Sequence, residues 1–285
     1  MSYPQQYKGS VPPRLVCGWD NNNSLLREVG ITHNGYLYTS DVETCIATGC
    51  VSTLTPWVKT GFNADVDIGT ENVWTVGGLY IWPSTAMSME VISSSTDDDD
   101  GGTGVNVITL TYLDASYEEQ ETDVTLNGTT AVAVPLDILR VNNFRAKTAG
   151  TGNKAAGNID VRHVDNAPIY SRILAGDVRA RNVAYTVPLG KTLYITSITF
   201  SVGGILKNVT YTSKFRTMAN YDPVNDRNLT FQMGFTEVLV QEESFYKRIE
   251  IPTKIIEKTD LITEVDAYTD NCITMCVYRG WLASA

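Results

Sequence analysis

Apolar and polar positions along this chain alternate on a two-residue period far more often than on a helical one. Residues 105–113, V-N-V-I-T-L-T-Y-L, mix β-branched Val, Ile and Thr with small polar residues, which is strand composition. A second such run, residues 122–126, ends at Asn127-Gly128, the pair that most readily supplies two positive φ angles, and the chain returns through residues 129–134. With Asp114-Ala115-Ser116 as the other turn, these runs predict a three-stranded antiparallel meander. Residues 79–82, Leu-Tyr-Ile-Trp before Pro83, predict a strand stopped by the proline.

The second half repeats the pattern at nearly regular spacing. Residues 192–202 carry bulk on both faces, which predicts a strand buried on two sides. Strands follow at 209–218, 229–235, 238–241, 245–251, 262–268 and 273–281, separated by Gly203-Gly204, the polar stretch 220–226 and Asp270-Asn271. The last of these is expected to close the sheet. No segment sustains a 3.6-residue apolar period, so the expected class is all-β. The expected organisation is an extended N-terminal arm over 1–18, stiffened by Pro12-Pro13, then a β-rich domain with long loops over 19–165, then a C-terminal β-sandwich of jelly-roll type over 166–285. The boundary is drawn at Asp165-Asn166-Ala167-Pro168.

Charge narrows the function classes. Lys and Arg number 22 against 32 Asp and Glu in 285 residues, a net charge of −10, which argues against a nucleic-acid groove and against docking on anionic lipid. No apolar run approaches the length of a membrane span, and the N-terminus MSYPQQYKGS lacks the cationic and apolar regions of a signal peptide. Five cysteines, Cys17, Cys45, Cys50, Cys272 and Cys276, have no C-x-x-C pair and no nearby histidine pair, so free thiols are expected, with disulfides as the second reading and a metal site as the last.

Candidate chemistry is sparse. The run Asp97, Asp98, Asp99, Asp100 before two glycines offers carboxylates to a hard cation, but it lacks the spaced D-x-D-x-D-G pattern and reads as a solvated surface loop. Glu118, Glu119, Glu121 and Asp123 add to the acidic side without defining a catalytic pair. The glycine-rich stretch 150–157 has no G-K-S/T and runs into a strand, so it is expected to be a long flexible hairpin tip. The two histidines, His33 and His163, belong to no nucleophile or zinc motif. No catalytic residue, cofactor or metal is predicted. Trp57, Trp74, Trp82 and Trp281, with Tyr3 and Tyr7 of the arm, are candidate interface aromatics; core packing is the competing role for the tryptophans.

One resemblance narrows the class. The order of an acidic glycine-rich loop, V-x-V-I-T-L-T-Y-L-D-A-S-Y, E-T-D-V-T-L-N-G-T-T, I-L-R-V-N-N-F-R-A-K-T-A-G-T-G and G-N-I-D-V-R resembles a segment of virion structural proteins of tailed bacteriophages. V-P-L-G-K-T-L-Y-I-T-S-I from position 187 and E-K-T-D-L from position 257 fit the same picture. The resemblance implies a non-enzymatic component of the head decoration or neck and tail-collar kind, assembled in the bacterial host cytoplasm and residing in the virion. Its expected partners are copies of itself and other virion proteins such as capsid, portal, neck or tail components, with no nucleic acid and no membrane. The alternative is a receptor- or glycan-binding module of a tail appendage, which needs exposed Trp57, Trp74 or Trp82.

Overall fold

A computed structural model describes residues 16–20, 25–29, 53–204, 207–217, 232–240 and 243–284. The chain divides into two compact units, Met1–Ser52 and Thr53–Ala285. In the first, β1 (Val16–Asp20) pairs antiparallel with β2 (Leu25–Val29), so the end of the expected arm lies in a strand. Tyr3 and Tyr7 lie outside the described residues.

The second unit consists of β3 (Leu54–Val66), β4 (Gly69–Asn72), β5 (Met87–Ser93), β6 (Val105–Leu113), β7 (Glu119–Thr125), β8 (Val132–Ile138), β9 (Arg140–Ala149), β10 (Ile159–His163) and β11 (Ile169–Ile173). It continues through β12 (Tyr185–Thr186), β13 (Lys191–Gly203), β14 (Asn208–Thr217), β15 (Gln232–Val240), β16 (Ser244–Ile255), β17 (Thr259–Ala267) and β18 (Cys272–Ser284). Among the described residues there is no helix, so the all-β class holds.

Two larger sheets form a sandwich. One has the order β16-β13-β18-β3; the other has the order β12-β17-β14-β15, with β4 also pairing β17. They meet through aromatics: Phe200 of β13 stacks on Tyr211 of β14 at 4.7 Å, and the Tyr278 hydroxyl of β18 reaches the hydroxyls of Ser213 and Thr263 on the facing sheet. Strand β13 shows why both faces looked bulky in sequence. Its register shifts between Ile195 and Ser197, so Leu193 and Ile195 before the bulge and Ile198, Phe200 and Val202 after it all enter the core. The expected closing strand, β18, instead lies in the interior of its sheet between β13 and β3.

Between β4 and β13 the chain builds two smaller sheets, β11-β10-β5-β8 and β7-β6-β9. Their apolar residues, Met89, Val91, Ile108, Leu110, Ile159 and Val161 among them, belong to the same buried cluster as the sandwich core. The boundary expected at 165/166 falls between β10 and β11, which pair with each other, and β3 and β4 from before it pair with β18 and β17 from after it. The division at that point therefore does not separate compact units.

Two local expectations change. The meander does not form: β6 pairs with β7 on one side and with β9 on the other, while β8 crosses to β5. Asn127-Gly128 does turn the chain, with Gly128 at φ 56°, but Gly128 N–H donates to Asp98 O and Gly128 O accepts from Ser93 N–H. Those bonds steer the chain out of the β6 sheet. The predicted strand at 79–82 is not paired as one; Tyr80 is buried and its N–H donates to the Asn72 side chain, while Leu79 and Ile81 face solvent.

Candidate functional site

The acidic run is not uniformly solvated. Asp97 and Asp100 are exposed and Asp99 is half-buried, but Asp98 is 0% exposed. Its Oδ1 accepts from the N–H groups of Val105 (2.7 Å) and Ala156 (2.9 Å), and its Oδ2 from Gly157 N–H (2.9 Å) and Ser93 Oγ (2.6 Å). One carboxylate thus joins the end of β5, the start of β6 and the glycine-rich loop. That loop is not the free tip expected from its composition: Ala155 and Gly157 are buried, and Gly152 N–H donates to Thr103 O at 2.8 Å. Gly150 is required there, because a Cβ would meet Gly102 O at 2.0 Å. Among the described residues no group of three or more His, Cys, Asp or Glu is disposed to hold a metal ion.

A second buried carboxylate joins one of the smaller sheets to the sandwich. Asp260 of β17, 0% exposed, faces Arg140 of β9, with Nε to Oδ1 at 3.0 Å and Nη2 to Oδ2 at 3.2 Å. Arg216 of β14 reaches Oδ2 at 2.7 Å, and Thr186 Oγ1 donates to Oδ1. Arg140 also donates to the carbonyls of Pro83 (2.6 Å) and Leu139 (2.9 Å), so its guanidinium has partners on every side. Trp82 and Tyr117 lie over it at 5.1 and 5.9 Å from their ring centroids. Burial alone lowers the Arg140 pKa, yet the facing Asp260 charge and hydrogen bonds outweigh it and the net shift is upward.

A third contact uses Lys59 of β3, whose Nζ donates to the Asn142 carbonyl of β9 and lies 5.7 Å from the Tyr185 ring centroid. Burial lowers its pKa to about 7. Elsewhere, a cleft of about 150 Å³ opens between the edge strands β15 and β16, floored by Ile198, Phe200, Phe235 and Phe245 with Glu237 and Lys247 at its side.

The predicted aromatics divide by burial. Trp57 and Trp74 are 7% and 3% exposed and serve the core. Trp82 is half-buried beneath Arg140 and Arg216, and Trp281 is half-buried and stacked on Tyr194 at 5.9 Å. Cys272 and Cys276 are free and buried, and burial pushes the Cys276 thiol up to about 12. Sequence reasoning passed over Lys59, Arg140, Asn142, Arg216 and Asp260. The available signal was a charge inside a strand: Arg140 stands between Leu139 and Val141, and Asp260 directly precedes Leu261-Ile262.

These features define an all-β protein whose described polar clusters join strands and loops. No family model matches the chain, and no curated protein matches it. Among solved structures it is similar to that of infectious bursal disease virus Gx strain, at 10% identity and a TM-score of 0.20 over 81% of this chain and 73% of that one. It is also similar to the VP2 subviral particle of infectious bursal disease virus, at 11% identity and a TM-score of 0.19 over 81% and 73%.

Proposed function

We propose that this chain is a non-enzymatic structural subunit of a tailed-phage virion, assembling with copies of itself on the head or at the neck and tail and stabilising the particle through inter-subunit contacts. The observation that carries the reading is strand order. Taking the sandwich strands β3, β4, β13, β14, β15, β16, β17 and β18 as first to eighth, one sheet runs 1-8-3-6 and the other 2-7-4-5. That order supports a jelly roll, an architecture used by capsid domains, with residues 73–190 as an insert between its second and third strands.

The sequence resemblance to tailed-phage virion proteins supplies the kind of particle. Buried charges used as joints fit a subunit whose work is to keep its shape under load. The glycan-binding alternative loses its aromatic platform, because Trp57 and Trp74 are inside the core. The test is sedimentation velocity and negative-stain imaging of the purified full chain, together with complementation of a phage lacking it. Closed symmetric oligomers and incorporation into particles are expected. A chain that stays monomeric at high concentration and is absent from purified particles overturns the reading.

A further inference from the structure

Lys59 and Asn142 meet where the first strand of the sandwich passes the insert, and their surroundings are those of a reacting pair. Asn142 is 3% exposed, and the aromatic wall beside it is equally dry: Tyr185 is 4% and Trp57 7% exposed, with their rings 5.0 Å apart. Lys59 projects its amine across this wall onto the main chain of Asn142. With burial holding its pKa at about 7, much of the lysine is free amine near neutral pH, the form in which lysine is a nucleophile.

The carboxamide of Asn142 is fixed rather than free to rotate. Thr186 N–H donates to Oδ1 at 2.9 Å, and Nδ2 donates to Thr186 O at 2.8 Å. Glu119, an exposed residue at the start of β7, hydrogen-bonds the same side chain, and the desolvation of its carboxyl group raises the Glu119 pKa, so it keeps its proton to higher pH than an ordinary glutamate. An amine, an amide whose oxygen already faces a main-chain donor and a carboxyl group able to carry protons are the parts that acyl transfer requires.

We propose that Lys59 and Asn142 become joined by an intramolecular amide cross-link, which ties β3 to β9 and hence the sandwich to its insert covalently. The Nζ lone pair attacks Cγ of Asn142, and the charge that develops on Oδ1 is received by Thr186 N–H. Glu119 donates a proton to Nδ2 and recovers one from Nζ as the Cγ–Nδ2 bond breaks. One C–N bond forms, one C–N bond breaks and ammonia departs; no electrons are exchanged and no cofactor takes part. The inference is independent of the virion reading, since it concerns only contacts within one chain.

The experiment is intact-mass spectrometry of the purified full-length chain, followed by peptide mapping. The expected mass is below that of the sequence by one molecule of ammonia, about 17 Da, as acyl transfer from a primary amide demands. The digest should contain a branched peptide joining the Lys59 and Asn142 segments. Lys59→Arg is expected to have the full mass of its own sequence, and Glu119→Gln to form the link more slowly. A folded wild-type chain with the full sequence mass overturns the proposal. So does a loss of ammonia without the branched peptide, because main-chain cyclisation at asparagine releases ammonia too. A Glu119→Gln chain that cross-links at the wild-type rate overturns the proton-carrying step.

Discussion

Asp98 and Asp260 are both 0% exposed, one among main-chain amides and the other among guanidinium groups. Three of the four bonds to Asp98 come from backbone N–H groups, which no substitution at the donor residues can remove short of proline. Asp260 depends on the side chains of Arg140, Arg216 and Thr186, each replaceable and each with its own interactions. A carboxylate held by backbone pins loops and concentrates its vulnerability in one residue. A carboxylate held by cations spreads that vulnerability over several residues, and it leaves a buried charge behind when it is lost.

The largest effect is therefore expected from Asp260→Ala, which strands the 3%-exposed Arg140. Loss of one partner from a buried ion pair costs about 3–5 kcal/mol, to be read as a reduced urea midpoint at unchanged slope. A loss under about 1 kcal/mol would show that the joint is held by packing instead. Asp98→Ala comes next, at roughly 2–4 kcal/mol, because buried donors lose their acceptor. Asp98→Asn should not restore the loss, because its NH2 would face a main-chain N–H donor in either orientation; an Asn variant as stable as the wild type would contradict the all-donor surroundings described for Asp98.

Arg216→Ala should cost about 1–2 kcal/mol, since Arg140 still satisfies both Asp260 oxygens. Smallest of all, Asp97→Ser and Asp100→Ser should each stay within about 0.5 kcal/mol, as exposed positions do. If either matched Asp98→Ala in thermal unfolding, the distinction between the one inward aspartate and its neighbours would fail.

That distinction also marks where sequence stops being legible. Asp97 to Asp100 are four identical letters, and only the positions of Val105, Ala156 and Gly157 select the second for burial. Strand β6 is readable to the residue because its alternation and its Asp114 turn are local: Asp114 Oδ1 accepts from Ser116 and Glu118 N–H groups at 2.8 and 3.0 Å. The pairing with β7 follows from that local turn, but the rest does not: contacts of the Asn127-Gly128 turn with the 93–98 segment accompany the passage of β8 to β5, and β9 takes the other side of β6. The core roles of Trp57 and Trp74 and the Arg140–Asp260 pair likewise depend on neighbours remote in sequence. On β13, a bulge let both parities of a strand face one core, which simple alternation reads as two buried faces.

The pairing of β3 with β18, from Leu54 against Ala283 onward, sets an order of events during synthesis. The insert is contiguous, so all the strands of its two sheets have been made before β13 emerges. Strand β3 is translated before all of them yet must wait for the last strand of the unit before its sheet can close. Closing so long a loop is slow, and a waiting strand can be captured by another chain. Yield of native subunit should accordingly fall with rising temperature and expression rate before the finished fold itself loses stability.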